Sequence, residues 1–372
     1  MNRMKQRTVW ALLAVLLLLL SACGGTGTEP TNEAAPEMTQ AQFNQAVGSL
    51  GMNMLGVATS LQNEPGVQAV AAFPSGGLFG GDSSPPLPTP PGLLGQLETL
   101  ADIDLVRGVY VYDGAAQEWV LIGDSQNLVL QWDFFGSNGA TSTAEATVNW
   151  GNTQEVDSPD GSVEVPAEMT VTLQVDGAAA GKLDVNLAWY DAAACGGAIL
   201  EPASINLDGY IGSSSRITFN DLTLGLLDQD GGADILMTSG SVSATAGENS
   251  AELSWNASVG GEVQRGDDCY AEDFEVNEAT ASIDVNATNA GDSRSLGFGV
   301  KVDSITTEPV SANLSGGIVE VDGATAVTFS GTLDDTNGNE VPGENVTLNF
   351  ADGESMTLEM FLSSFSVMGA LF

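Results

Sequence analysis

The chain has 372 residues, of which 49 are acidic and 9 basic; its formal net charge is −40, and it contains no histidine. Such an acidic surface repels nucleic acids, which argues against nucleic-acid binding. The lack of histidine excludes His-assisted nucleophiles and histidine metal ligands. Two explanations of the acidity remain open: a saline habitat whose salt screens the repulsion, or divalent-cation sites that offset it.

The first 22 residues have the organisation of a secretory signal peptide. Basic side chains within the first seven residues precede an apolar run, Trp10 to Leu20, which is followed by the small residues Ser21 and Ala22. The apolar run, about 11–13 residues, is too short to cross ~30 Å of hydrocarbon as a helix. The pattern therefore predicts export and removal of residues 1–22.

The stretch LSAC that ends at Cys23 resembles the lipobox of bacterial lipoprotein precursors. The resemblance covers residues 1–23 and implies that the Cys23 thiol receives a diacylglyceryl group and becomes the new N-terminus. Two acyl chains anchor a protein stably because each buried CH₂ contributes ~0.8 kcal/mol. The expected location is the cell envelope, at the outer membrane or the outer face of the cytoplasmic membrane. The alternative is an ordinary cleaved signal with a chance cysteine.

Three segments are predicted between the signal peptide and residue 92. Residues 23–38 are small and polar and indicate a tether. Apolar residues from Phe43 to Leu61 then recur in steps of three and four, and Thr39 with Gln42 fits a capping box, so residues 39–62 are predicted to form an amphipathic helix. This helix either packs on the main domain or acts as a plug that a ligand displaces. Residues 63–92 are rich in proline and glycine and indicate a stiff spacer.

Residues 93–372 are predicted to form a β domain. Roughly fifteen runs of alternating apolar and polar residues are separated by Gly, Asp, Asn and Pro, as in antiparallel sheets with one wet and one buried face. Stretches beginning near Lys182, Ala251 and Ala326 resemble one another, each with about four strands, which indicates duplication. The predicted fold class is all-β: a long curved antiparallel sheet of repeated four-strand units, as a partial barrel or a sandwich, with one N-terminal amphipathic helix.

The two remaining cysteines, Cys195 and Cys269, occupy equivalent points in two of the repeats. In an oxidising compartment they most simply form a disulfide, and two unpaired thiols are the alternative. Equivalent loops four strands apart in a flat sheet lie about 19 Å apart. A disulfide requires Cα atoms within ~7 Å, so pairing predicts a curled sheet or loops that reach across it.

Two acidic turns are candidate calcium sites. Carboxylate and amide oxygens close together on a tight turn supply several of the six to eight ligands that Ca²⁺ takes. Neither turn completes an EF-hand, and Asp/Gly clusters are also typical of hairpin turns. Each turn is therefore either a calcium site or an ordinary hairpin turn. Calcium is the one cofactor that the sequence suggests. The candidate ligands are Asp228, Asp230, Asp234, Asp335, Asn337 and Asn339.

The leading functional hypothesis is a non-enzymatic, lipid-anchored envelope protein that is structural or binds a ligand. Its sharper form carries an apolar ligand in the curved sheet. The sequence has no G-x-S-x-G elbow and no phosphate-binding loop. The alternative is a carboxylate-dependent glycoside hydrolase or a carbohydrate-binding surface protein, of which the former needs two carboxyl groups at ~5–10 Å. The expected partners are the membrane, through the lipid on Cys23, and an apolar ligand or another envelope protein.

Overall fold

A computed structural model describes residues 35–74, 107–137, 139–158, 161–189, 202–227, 234–265, 271–307, 310–334 and 343–360. Helix α1 is Gln40–Leu61, and helix α2 is Pro65–Ala71. The strands are β1 Gly108–Asp113, β2 Glu118–Gly123, β3 Leu128–Phe135, β4 Thr141–Trp150, β5 Thr153–Ser158, β6 Gly161–Pro166, β7 Glu168–Val175, β8 Ala178–Trp189, β9 Pro202–Ile211, β10 Ser215–Leu227, β11 Asp234–Ala246, β12 Asn249–Arg265, β13 Ala271–Asn289, β14 Asp292–Thr307, β15 Val310–Val321, β16 Ala324–Asp334, β17 Val346–Asn349 and β18 Ser355–Thr357.

Sixteen of these strands form one sheet in the order β18-β17-β16-β15-β14-β13-β12-β11-β10-β9-β8-β7-β4-β3-β1-β2, and β5 and β6 form a separate hairpin. Among the strand pairs whose register the structure describes, all are antiparallel except β1 with β3, which run parallel. Within the described strands the sheet is open, with β2 and β18 at its ends. The predicted all-β class, with a long and mostly antiparallel sheet and few helices, is confirmed.

Several neighbouring strands follow each other through two-residue turns. The turn between β7 and β8 is Asp176-Gly177, with φ of 51° and 78°, and the turn between β15 and β16 is Asp322-Gly323, with 51° and 81°. Two positive φ angles define the tight turn whose twist matches that of paired strands, and an Asp-Gly pair adopts it readily. Short local turns of this kind make sequential strands neighbours in the sheet.

The described chain divides into two compact units. Of the described residues, those within 35–58, 226–265 and 271–360 belong to the first unit, and those within 59–225 belong to the second unit. In the first unit, Phe43 and Leu50 of helix α1 are 2% and 5% exposed and join an apolar core with strands of the sheet. Asn53 of the same helix donates from Nδ2 to the carbonyl oxygens of Ala287 and Asp292 at 3.4 and 3.0 Å.

The predicted amphipathic helix is observed, with the capping box that the sequence indicated. The Gln42 amide donates to Thr39 Oγ1 at 3.2 Å, and the Thr39 amide donates to Gln42 Oε1 at 2.9 Å, so two amides at the helix start are satisfied reciprocally. The contacts of Phe43 and Leu50 agree with a helix that packs on the domain.

Residues 65–71, which the sequence placed in a stiff spacer, instead form helix α2. Pro65 stands at the start of this helix, where its missing N–H is not needed and its fixed φ suits the first turn. Gly66 and Ala69 are buried, and an added Cβ at Gly66 would meet the Ala180 carbonyl oxygen at 2.5 Å. Close packing on strand β8, rather than the local sequence, holds this segment as a helix.

Candidate functional site

One face of the sheet in the second unit is lined by apolar side chains from five neighbouring strands. Directly paired residues of adjacent strands project from the same face, so each row of pairs crosses the sheet on one side. The first row is Trp150, Met169, Val185, Leu207 and Leu222, one residue each from β4, β7, β8, β9 and β10. The second row, from β4, β7 and β8, is Val148, Val171 and Leu183.

Two buried clusters occupy the ends of this face. The first lies against helix α2 and includes Ala69, Trp132 and Leu173; the Trp132 indole N–H donates to the Ala69 carbonyl at 3.1 Å. The second lies against the β5–β6 hairpin and includes Val165 and Trp189. The indole N–H of Trp189 donates to the Pro166 carbonyl at 2.7 Å, which fastens the hairpin to the sheet.

Between the two clusters lies a strip of half-buried apolar residues, which we call the apolar band: Val148, Val171, Leu183, Val185, Leu207 and Leu222. Five strands at the usual spacing make the band about 19 Å long. Gly209 is the β9 partner of Leu183, so no side chain fills that place in the second row. Val148 and Val185 pack against the two flanking clusters, and all six residues of the band keep part of their surface exposed.

The opposite face of the same strands is polar. Thr170 donates to Asp184 at 2.8 Å, Gln131 donates to Glu145 at 2.8 Å, and Asn206 donates to Thr223 at 3.1 Å. Lys182 also forms a 2.7 Å ion pair with Asp184. These polar side chains bond to one another across neighbouring strands, which distinguishes this face from the apolar band on the other side.

Trp150 stands at one end of the first row and packs against the cluster under the hairpin. Its indole Nε1 is buried from solvent and donates no hydrogen bond within the described part of the chain. A buried donor without a partner costs about 1–3 kcal/mol, so such atoms are uncommon. The Trp119 Nε1 is buried and unpartnered in the same way, but Trp119 lies on β2, next to Phe73 and Tyr112.

Glu64, between the two helices, anchors helix α2 to the turn before β10. Its side chain is 4% exposed, and its two carboxylate oxygens accept four hydrogen bonds. The donors are the amide and hydroxyl of Ser213, the hydroxyl of Ser214 and the amide of Ser215, at 2.8–3.2 Å. Burial alone would raise the pKa of Glu64, but these hydrogen bonds outweigh it and hold the pKa below its ordinary value.

Three carboxylates lie near one another on the polar face of the first unit. Asp284 on β13 pairs with Gly297 on β14, which pairs with Glu320 on β15, so no side chain separates the two acids. Burial, followed by the negative charges of Glu320 and Glu252, raises the pKa of Asp284 to about 6. Across the described ranges, no three acidic or cysteine side chains are grouped as metal ligands.

Replacing Asp284 by asparagine is expected to stabilise the first unit by about 1–2 kcal/mol at pH 7.5, a discounted value because the carboxyl is partly exposed. The pKa of Asp284 is raised from 3.8 to about 6, so the wild type has its full stability below pH 3.8 and loses it as pH rises through about 6. The gain in the variant should therefore vanish near pH 4. Urea unfolding at both pH values measures it, with exposed Glu354→Gln as the control; equal gains for both variants would contradict the assignment.

Most sequence-predicted site residues lie outside the described residues. Asp234 is described: it begins β11, is half-exposed and pairs with Gly261 of β12. Lipidation, the disulfide and the calcium sites therefore stay predictions. The residues outside the described ranges are Cys23, Cys195, Cys269, Asp228, Asp230, Asp335, Asn337 and Asn339.

The apolar band and Trp150 were not among the candidates that sequence reasoning selected. The alternation of each strand shows which residues share a face within that strand, but only the register between strands brings Val171 beside Leu183. Among the helices in the described ranges, neither has the length and apolar character needed to cross a bilayer. No protein-family model, curated protein or solved structure matches the chain.

Proposed function

We propose that this chain is an exported, lipid-anchored and non-enzymatic protein of the cell envelope that carries an apolar ligand on the apolar band. The observation that carries the proposal is the band itself, six half-buried apolar residues between two buried clusters. The signal-peptide pattern and the LSAC stretch ending at Cys23 support export and anchoring.

The energetics favour an acyl chain as the occupant. Apolar surface in contact with water is worth about 25 cal/mol per Å² when it is covered, so covering 200 Å² would contribute roughly 5 kcal/mol. The band is about 19 Å long and has no charged side chain in either row, which suits an extended hydrocarbon. Helix α2 and the β5–β6 hairpin are fastened at its two ends by Trp132 and Trp189, so the site is largely preformed.

Val171→Asp is expected to weaken binding of a fluorescent acyl-chain probe to the mature chain at least tenfold. The substitution places a charge at the centre of the band, where it must be desolvated when the probe binds. Thr172→Asp is the matched control, because it adds the same charge to the same strand on the opposite face and beside Lys182. We expect the control to bind within twofold of the wild type in a fluorescence titration.

Two results would overturn this assignment: the wild type fails to bind the probe, or the two variants weaken binding equally. Circular dichroism on both variants verifies that the sheet persists. If Val171→Asp alone loses the strand signal, Val171→Asn is measured in its place. Asparagine is polar without charge, so this variant should still weaken binding several-fold.

A carboxylate-dependent glycoside hydrolase is the second candidate, and the raised pKa of Asp284 favours it. A carboxyl whose pKa is raised to about 6 beside other carboxylates is typical of the general acid in a glycoside hydrolase. The rows around Asp284 are formed by Ser241, Ser254, Gly297 and Glu320, without an aromatic platform for a sugar ring. Release of nitrophenol from aryl glycosides by the wild type, lost in Asp284→Asn, would replace our proposal with this one.

A further inference from the structure

We infer that the exposed side of helix α1 is the surface of this protein that rests on the lipid bilayer. The inference rests on the membrane anchoring in the proposed function, and it adds the face of the first unit that meets the lipid headgroups.

Helix α1 has one buried side and one exposed side. Phe43, Leu50 and Val57 are 2%, 5% and 1% exposed, and the first two join the core of the first unit. On the other side, Met52 is 65% exposed and Leu55 is 39% exposed, although both side chains are apolar. We call this exposed side the neutral stripe, and its residues are Ala41, Asn44, Gln45, Gly48, Met52 and Leu55.

The neutral stripe has no charge, whereas the chain as a whole is strongly acidic. Between Glu37 and Glu64 the sequence contains no acidic or basic residue, while the formal net charge of the chain is −40. The carboxylate of Asp352 accepts from the Gln40 amide at 3.3 Å, so this charge lies at the start of the helix rather than along the stripe. The negative headgroups of a bilayer repel an acidic surface at short range, and a neutral surface can approach them without this repulsion.

The position of the predicted anchor favours the bilayer as the occupant of the stripe. Cys23, which the sequence predicts to carry the acyl chains, is joined to helix α1 by residues 24–39. As a flexible coil, a polar tether of this length has an average end-to-end distance of about 20 Å. The stripe would therefore be present near the headgroups at a high effective concentration, at which weak contacts are enough. Met52 and Leu55 supply apolar contact at headgroup level without inserting the helix.

The test uses the mature chain with a hexahistidine tag before Gly24 in place of the lipid. The tagged chain is bound to phosphatidylcholine–phosphatidylglycerol vesicles that contain a nickel-chelating lipid, with or without acyl chains brominated near the headgroup. Met52→Trp places a fluorescent reporter on the neutral stripe. Phe135→Trp is the matched control on β3, because Phe135 is 81% exposed and shares its face of the strand with Asp133. Bromine should quench the emission added by Met52→Trp by about half and leave that added by Phe135→Trp nearly unchanged.

A second pair of variants tests the role of charge in the Met52→Trp background. Gly48 lies one helical turn from the reporter, and a Cβ there meets no atom within 4 Å, so a longer side chain fits without changing the fold. Gly48→Glu adds one negative charge and should reduce the quenching about twofold at low salt. Gly48→Gln adds a side chain of the same length without charge and should keep the quenching. Circular dichroism verifies that all four variants fold.

Equal quenching of the two reporters, or quenching of neither, would overturn the inference, and so would equal effects of Gly48→Glu and Gly48→Gln. A dimer of the untethered chain in sedimentation velocity that Gly48→Glu dissociates would assign the stripe to a second copy of the chain instead. Because the tag replaces the lipid, these outcomes do not depend on acylation of Cys23. The titration of the acyl-chain probe with Val171→Asp tests the proposed ligand separately, so the two can fail independently.

Discussion

Replacing Glu64 by alanine is expected to lower the free energy of unfolding of the second unit by about 3–4 kcal/mol. The carboxylate is 4% exposed and accepts four hydrogen bonds from Ser213, Ser214 and Ser215. Alanine removes the acceptor and leaves two backbone amides and two hydroxyls facing a cavity. Urea unfolding followed by tryptophan fluorescence measures the loss, because Trp119, Trp132, Trp150 and Trp189 all belong to the second unit.

Two further variants test whether the Glu64 carboxylate itself accounts for the loss of stability. Glu118→Ala removes an exposed glutamate of β2 in the same unit and should change the stability by less than 0.5 kcal/mol. Glu64→Gln keeps the shape and one acceptor oxygen but turns an amide group toward donors, so its loss should lie between those of the other two. A loss in Glu64→Gln as small as that in Glu118→Ala would contradict the role of the carboxylate.

The pH dependence of the stability difference between the wild type and Glu64→Ala tests whether the charge of the Glu64 carboxylate is responsible. Hydrogen bonds lower the pKa of Glu64 against the opposing effect of burial, so its contribution to stability is complete above the ordinary pKa of 4.5. The contribution is lost as pH falls through the lower pKa of the folded state. The difference between the wild type and Glu64→Ala should therefore be constant from pH 5 to 8 and narrow below pH 4.5. A difference that is unchanged at pH 3 would refute this mechanism.

The architecture could be predicted where the signals are local. The capping box of Thr39 and Gln42 and the apolar stripe from Phe43 to Leu61 are complete within helix α1 itself. The alternation of strands and turns such as Asp176-Gly177 likewise needs only neighbouring residues. Helix α2 could not be predicted in this way, because Pro65 fits the end of one helix as well as the start of another. The contacts that decide it, from Gly66 to Ala180 and from Glu64 to Ser213, are distant in sequence.

The apolar band could not be predicted from the sequence, because it depends on the register between β7 and β8. A regular hairpin around Asp176-Gly177 would pair Val171 with Lys182 and place a charge on the apolar face. The register instead shifts by one between Leu173 and Gln174, so that Val171 pairs with Leu183. A bulge of this kind moves every later side chain of β8 relative to β7, and no residue in the hairpin predicts the bulge.

Replacing Gly317 by alanine should destabilise the first unit by about 3 kcal/mol, at the upper end of the usual cost of overpacking. A Cβ atom at Gly317 would overlap three atoms of the Phe329 ring. Phe329 has little room to move, because it is 2% exposed and stacks on Phe298 with the ring centroids 5.5 Å apart. Urea unfolding together with hydrogen exchange of peptides from β14 to β16 measures the loss and assigns it to this unit.

Gly48→Ala in helix α1 is the matched control for Gly317, since a Cβ there meets no atom within 4 Å. Alanine is the better helix former, so Gly48→Ala should stabilise the same unit by about 0.5–1 kcal/mol. In a Phe329→Leu background the smaller side chain leaves space for the new methyl group, and the cost of Gly317→Ala should fall by at least 1 kcal/mol. Strictly additive costs would show that the strain arises elsewhere than at the Phe329 ring, because only residues in contact couple in this way.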